Sequence, residues 1–169
     1  NADARRSAFA PPEYYHYWHA SVVFAVLSME ANIYDVMMAP NRGEPSPLGN
    51  IALSTTNHRR PLVERYSLVH THIVGRPLPL NHGIAQEASA LVALRDEIVH
   101  YKTEWRDEAV VSSRLEKMLR SRITLNPFQC GDVFFPEQCV SANSSRWATT
   151  TARAFIVSFA SDTGVRLNV

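Results

Sequence analysis

The sequence predicts an all-α fold, a helical bundle of about five helices with long irregular connections. Two observations support this prediction. Apolar residues recur at three- and four-residue steps in five segments, as they do along one face of an amphipathic helix. No segment shows the alternation of apolar and polar residues that half-buried strands require. At 169 residues and 46% hydrophobic content, the chain is long enough to bury a core.

The first helix is predicted over residues 12–38, before Pro40. One apolar seam follows its length: Trp18, Val22, Val26 (or Ala25), Met29, Ile33 and Met37. A connection rich in Pro and Gly over residues 41–61 leads to the second helix. This helix is predicted over residues 62–74 and is stopped by Gly75.

The third helix is predicted over about residues 86–105. Its apolar stripe consists of Leu91, Leu94, Ile98, Tyr101 and Trp105. The fourth helix is predicted over residues 112–123, with Ser112 or Ser113 as its N-cap. Glu116 would then be the reciprocal partner of Ser113 in a capping box.

The irregular segment 125–142 is predicted to lay apolar side chains across the bundle as a cover: Phe128, Val133, Phe134 and Phe135. The fifth helix is predicted over residues 145–162, with Gly164 as its C-terminal cap. Its predicted packing face consists of Trp147, Thr151, Ala154, Phe155, Ser158 and Phe159.

Length and cysteine content indicate a simple organisation. Residues 1–12 are predicted to be a disordered tail or a remnant of cloning or processing, and residues 13–169 a single helical domain. Cys130 and Cys139 are too few for a disulfide framework, and although their loop-like region allows a bridge, we expect two free thiols in a reducing compartment. From the sequence we expect no signal peptide and no apolar run that is long enough to span a membrane. We therefore expect a cytoplasmic protein without a membrane partner.

The net charge of +1 argues against a generally basic, nucleic-acid-binding surface. Any contact with RNA would come from a local basic cluster or from a patch that a second subunit completes. No metal or cofactor is predicted. His16 and His19 lie three residues apart on the first helix, but no Cys-x-x-Cys or His-Glu-x-x-His motif accompanies them.

The third helix carries the residues best suited to catalysis, Arg95 and His100, with Asp96 as a supporting residue. Asp96 and His100 are four residues apart, so they share a helical face and the carboxylate can orient the imidazole. The long side chain of Arg95 can swing toward the same pocket. An Arg that holds phosphate oxygens beside a His that moves protons suits a phosphodiester substrate. Alternatively, Arg95 pairs with a nearby carboxylate and His100 is a satisfied core residue.

Glu30 is the second supporting residue. It follows a run of apolar residues in the middle of the first helix, where an unpaired carboxylate would be costly to bury. We expect it to pair with Arg95, provided that the first and third helices are neighbours. The alternative is that Glu30 reaches solvent at the edge of the apolar seam.

The segment Arg95-Asp96-Glu97-Ile98-Val99-His100 resembles the signature of the HEPN superfamily. In that signature an Arg is followed, usually, by a polar residue and then by a short spacer that ends in His. Asn is the commonest residue where this chain has Asp96. Over roughly residues 14–162 the order of other segments is similar to that of uncharacterised bacterial HEPN-like proteins: Ser28-Met29-Glu30-Ala31-Asn32-Ile33, Val63-Glu64-Arg65-Tyr66, Asn126-Pro127-Phe128 and residues 147–159.

The resemblance implies a metal-independent endoribonuclease that uses the 2′-hydroxyl of the RNA as its nucleophile. His100 would be the general acid or base, and Arg95 would neutralise the charge that develops on the phosphorus-bound oxygens. In this family the signature helices of two subunits commonly build one cleft, so we expect a homodimer. A cognate antitoxin or regulatory protein is a further implied partner.

Two other readings remain open at this stage. A non-catalytic HEPN-like module could bind a nucleotide, an RNA or a protein through the same cleft, and Asp96 in place of Asn favours this reading. A purely structural dimerisation bundle is the third. Single-turnover cleavage of RNA in the presence of a chelator separates the first reading from the other two.

Overall fold

The computed structural model describes residues 12–38, 48, 60–100, 108–126 and 134–166, and within these ranges it contains five α-helices and no strand. The predicted all-α fold is confirmed. The helices are α1 (Pro12–Met38), α2 (Leu62–Val74), α3 (Gly83–Val99), α4 (Glu108–Leu119) and α5 (Ala142–Thr163), with a single 3-10 turn at Glu137–Cys139 before α5.

The chain divides into two compact units. The first comprises residues 1–24 and 90–150, and the second comprises residues 25–89 and 151–169. Three helices, α1, α3 and α5, therefore contribute residues to both units, whereas α2 belongs to the second and α4 to the first. The single domain expected over residues 13–169 stays a prediction.

The first unit has a core built around the indole of Trp18, which is fully buried. Its Nε1 donates a hydrogen bond to Oγ of Ser144 over 2.7 Å, and its ring lies 6.4 Å from the ring of Phe135. Ser144 in turn donates to the carbonyl of Cys139 over 2.6 Å. Other buried apolar side chains of this core include Val22, Leu91, Leu94, Leu115, Leu119, Ile123, Phe134 and Val140.

The second unit has an aromatic core centred on Tyr66 of α2, which is fully buried. The rings of Phe155 and Phe159 on α5 meet it edge-on at 4.7 and 4.8 Å between centroids. The Tyr66 hydroxyl donates to the backbone carbonyl of Met29 over 2.8 Å. Desolvation by burial raises the pKa of Tyr66 well above its ordinary value, and the charge of Arg65 opposes the shift. The phenol therefore stays protonated and acts as a structural donor.

The sequence correctly predicted where α1 and α2 begin and where they end. The predicted seam of α1 is buried at every position named for it, because one stripe of the helix faces protein along its whole length. Helix α2 ends as expected at Gly75, whose φ of 81° is accessible to glycine at no steric cost. The N–H of Gly75 bonds to the carbonyl of Thr71 over 2.9 Å and closes the last turn.

The predicted start of α4 is wrong. The helix begins at Glu108, so Ser112 and Ser113 lie inside it rather than at its N-cap. Helix-compatible residues precede the serines, and the helix extends back through them. Glu116 bonds instead to the side chain of Arg120, one turn further along, with 2.8 Å between Arg120 Nε and Glu116 Oε1.

Helices α3 and α5 differ from the predictions mainly at their ends. Helix α3 ends at Val99, and the predicted packing residues Tyr101 and Trp105 lie outside the described residues. Helix α5 begins three residues early, at Ala142, because the hydroxyl of Ser141 accepts the N–H of Ser144 and caps it. Gly164 ends α5 as predicted.

Two predictions were partly right: the apolar cover formed by the segment before α5, and the packing face of α5 itself. Phe134 is buried and Phe135 half-buried, whereas Phe128 and Val133 lie outside the described residues. On α5 the expected packing residue Ala154 is exposed, while Ala148 and Ala152 are buried in its place.

The expectation of a cytoplasmic protein without a membrane partner stays a prediction, and one helix bears on it. The segment Tyr14–Met38 is long and apolar enough to cross a membrane by length and composition, although Glu30 and Asp35 interrupt it. Buried core helices and signal sequences meet the same criteria, and a third of this segment's best window is buried in protein. Trp18, Met29 and Ile33 are among the buried residues, which identifies one face of the helix as core.

Candidate functional site

The two predicted catalytic residues lie at the C-terminal end of α3, in the first unit. Leu91 and Leu94 are fully buried and fix the orientation of this last part of the helix. Arg95 follows Leu94 at the edge of the buried stripe, and its side chain is mostly covered, whereas the side chain of Asp96 is about half exposed. His100 comes directly after the last helical residue and is exposed.

Arg95 is engaged by its sequence neighbour. Its Nε lies 3.2 Å from Oδ1 of Asp96, which is an ion-pair distance, although the two atoms do not have the geometry of a hydrogen bond. The carboxylate therefore offsets part of the positive charge that a phosphate would meet. An anionic ligand at this position competes with Asp96 for the guanidinium.

Within the part of the chain that the structure describes, His100 is held through its backbone. Its N–H bonds to the carbonyl of Asp96 over 2.9 Å and forms the last helical hydrogen bond of α3. Within the described part of the chain, no hydrogen bond or ion pair joins its imidazole to the carboxylate of Asp96. The expected orientation of His100 by Asp96 is thus not formed here, because the helix ends at Val99 and Asp96 contacts Arg95 instead. The imidazole faces solvent, where an incoming substrate can reach it.

Glu30 belongs to the second unit, where it contacts α2. Its Oε1 lies 3.9 Å from Nη2 of Arg65, and both side chains are largely covered. The expectation that this mid-helix carboxylate needs a cation is therefore met by Arg65, which is the one Arg on α2. The predicted contact between Glu30 and Arg95 would join the two units, and it stays a prediction.

Sequence reasoning missed His70 of α2, which is almost completely buried. Its Nδ1 lies 2.7 Å from the carbonyl of Arg76, so Nδ1 carries a proton and donates it. Its Nε2 is buried and has no hydrogen-bond partner among the described residues, and the ring centroid lies 6.4 Å from that of Phe159. The sequence signal was available, since His70 lies four residues after Tyr66 on the apolar side of α2.

The buried thiol of Cys139 has a structural role. Burial and the negative charge of Glu116 raise the pKa of the Cys139 thiol to about 12. The thiol is buried and free, and it donates to the carbonyl of Phe134 over 3.3 Å. A protonated, buried thiol is a poor nucleophile and a poor metal ligand. Among the described residues, no group of three or more His, Cys, Asp or Glu is placed to hold a metal ion.

Comparisons with family models, with curated proteins and with solved structures returned no match, so they neither support nor oppose the resemblance to the HEPN superfamily.

Proposed function

We propose that the protein is a metal-independent endoribonuclease that acts through Arg95 and His100. The observation that supports this most directly is the exposed imidazole of His100. His100 directly follows α3 and comes five residues after Arg95, which supplies a guanidinium from the last turns of that helix. Imidazole is the side chain best suited to proton transfer near neutral pH. A guanidinium is the group best suited to hold two oxygens of one phosphate.

In the proposed reaction the 2′-hydroxyl oxygen of a ribose attacks the adjacent phosphorus. The bond between phosphorus and the 5′-oxygen of the next nucleotide breaks, and a 2′,3′-cyclic phosphate forms. One imidazole removes the proton of the 2′-hydroxyl, and a protonated imidazole supplies a proton to the leaving 5′-oxygen. Arg95 neutralises the charge on the non-bridging oxygens as the phosphorus becomes five-coordinate.

A second copy of the chain would complete this chemistry. One His100 can be the base or the acid at a given moment, and two copies would supply both roles at once. We therefore propose a homodimer in which the signature segments of two subunits approach each other. Such a cleft would collect two Arg and two His on a chain with almost no net charge.

Single-turnover cleavage of an end-labelled RNA in EDTA tests the proposal. Wild-type protein should cut the RNA, spare the matching DNA and leave a cyclic phosphate. His100→Ala should lose about a hundred- to ten-thousandfold in rate, the usual contribution of a positioned acid or base. Arg95→Lys should also be impaired, because an ammonium cannot reproduce the two-pronged grip of a guanidinium.

Two exposed residues away from the site are matched controls: His72→Ala on α2 and Arg153→Lys on α5. Both variants should keep the wild-type rate. Loss of cleavage on chelation, equal cleavage of DNA, or a His72→Ala defect as large as that of His100→Ala would contradict the mechanism.

The alternative is a non-catalytic module that binds RNA, a nucleotide or a protein. The contact between Arg95 and Asp96 favours it, since the site then resembles a surface that recognises an anion more than one prepared for proton transfer. Binding of the labelled RNA that depends on Arg95 and His100, without any cleavage, would select this alternative. A cognate antitoxin or regulatory protein is then a candidate ligand of the same surface.

A further inference from the structure

Helix α1 carries an exposed apolar stripe in addition to its buried seam. Its large exposed apolar residues lie seven, three, seven and four positions apart, which is the spacing of the a and d positions of a heptad repeat. Two alanines, half-buried Ala20 and exposed Ala31, occupy the positions left between them. In order, the stripe consists of Tyr17, Ala20, Phe24, Leu27, Ala31, Tyr34 and Met38.

The stripe and the core seam lie on nearly opposite faces of the helix. At 100° per residue, the stripe is centred about half a turn away from Trp18, Met29 and Ile33. Tyr17 is 73% exposed and Phe24 is 68% exposed, which are large values for aromatic residues on a helix that already has a buried face. Because the stripe lies on one continuous helix, its geometry does not depend on how the two units are arranged.

A seven-residue period indicates that the partner is another α-helix. Side chains spaced as a and d positions fit the holes between four residues of a facing helix. A lipid surface fits less well, because helices that lie on membranes are rich in Lys and Arg, and α1 contains neither. The charged residues of α1 are all acidic, and two of them, Glu30 and Asp35, would be repelled by anionic lipid.

We propose that the stripe is the surface through which two copies of this chain pair, α1 against α1 in antiparallel orientation. In a parallel pair the heptad would put Glu30 of one helix, a g position, beside Asp35 of the other, an e position. Antiparallel pairing places these two carboxylates along opposite edges of the contact. Glu30 is in addition held by Arg65 of its own copy.

The area of the stripe suits a symmetric dimer. With about 150–250 Å² for each aromatic side chain, its exposed part amounts to roughly 500 Å² per copy. Two copies would bury roughly 1,000 Å², the lower limit for a specific interface. A self-complementary surface of this kind closes as a two-fold dimer. The inference stands on α1 alone and does not depend on the proposed ribonuclease activity.

Light scattering after size exclusion tests the proposal on the full chain at about ten micromolar, the range in which a micromolar dimer is populated. The wild-type protein should be a dimer. Phe24→Glu and Tyr34→Glu should each raise the dissociation constant about a hundredfold, because both copies lose a contact worth about tenfold. Val157→Glu is the matched control, since Val157 is 50% exposed on α5 and lies off the stripe. It should remain a dimer.

Circular dichroism should show wild-type helicity in all three variants, because the substituted side chains are exposed. A monomeric wild type, or stripe variants that dimerise as well as the wild type, would overturn the proposal. So would flotation of the wild type with neutral phosphatidylcholine vesicles that Phe24→Glu abolishes, since the occupant would then be lipid.

Discussion

Ser144 shows how one side chain stabilises several segments of the first unit. Its hydroxyl accepts from the indole of Trp18, donates to the carbonyl of Cys139, and lies 3.2 Å from the backbone N–H of Ser141. Each of these groups is in or next to the core, where an unmade hydrogen bond costs more than a made one contributes. Nothing in the sequence around Ser144 distinguishes it from Ser145.

Ser144→Ala should lower the free energy of unfolding by about 1–3 kcal/mol, because the buried N–H of Trp18 loses its acceptor. Urea denaturation followed by the tryptophan fluorescence measures it. Ser145→Ala on the same helix is the control and should change stability by less than about 0.5 kcal/mol. Equal effects of the two variants would show that the indole bond adds nothing.

His19 should make stability depend on pH. Burial lowers its pKa from the ordinary value of 6.5, and neighbouring His16 adds to the shift. The imidazole of His19 therefore takes up a proton at higher pH in the unfolded chain than in the folded chain. The stability that neutral His19 contributes is complete above pH 6.5 and is lost as the pH falls below that value. His19→Gln should reduce the loss of stability between about pH 7 and about pH 5. A variant at exposed His72 should keep the wild-type dependence; an unchanged slope in His19→Gln would refute the assignment.

Asp96→Asn tests whether Arg95 is available for phosphate. The substitution removes the carboxylate that lies 3.2 Å from Nε of Arg95 and keeps the size of the side chain. If Arg95 holds RNA phosphate, the variant should bind RNA more tightly, by about threefold to tenfold, the range expected for one exposed charge contact. Fluorescence anisotropy of a labelled RNA measures the change. Asp162→Asn removes an exposed charge on α5; it is the control and should bind RNA like the wild type. Weaker binding of RNA by Asp96→Asn would contradict the prediction and indicate that Asp96 orders Arg95 for its ligand.

At the scale of elements, sequence periodicity was sufficient where a helix buries one continuous stripe. The apolar seam of α1 and the glycine that stops α2 are each consistent with one structure only, and both helices end where predicted. The start of α4 could not be found, because Ser113 and Glu116 satisfy the capping-box pattern inside a helix as well as at its end. The assignment of Arg95 and His100 as site residues stays a prediction. The sequence could not show that Asp96 contacts Arg95 rather than His100, because this contact depends on where α3 ends and on side-chain rotamers.

Met29→Ala should be among the most damaging substitutions in α1. Met29 is fully buried in the second unit, so truncation removes apolar contacts and leaves a cavity. We expect a loss of about 2–5 kcal/mol in the free energy of unfolding, the range for buried Met, Leu and Ile. Guanidinium denaturation measures this loss. The same truncation at half-exposed Val157 should cost less than about 1 kcal/mol, and comparable losses would mean that the seam is not the core.

At the scale of the whole molecule, two dimer contacts are proposed, and they separate experimentally. A dimer that joins the ends of α3 should be disrupted by Val99→Glu, since Val99 is 54% exposed beside His100. A dimer that joins α1 should be disrupted by Phe24→Glu. Light scattering on the two variants identifies the contact, and RNA cleavage by the same samples shows whether the dimer is needed for activity. Dissociation by both would mean that the two surfaces cooperate in one assembly.

Each compact unit draws on two distant stretches of the chain, and both need α5. On the ribosome, Trp18 emerges long before its partner Ser144, and Tyr66 emerges long before Phe155 and Phe159. Neither core can close until α5 has been synthesised, so the apolar faces of α1 stay open to chaperones until then. A premature stop codon anywhere before residue 142 should therefore leave two incomplete cores, and the truncated product should be degraded rather than accumulate as a stable half.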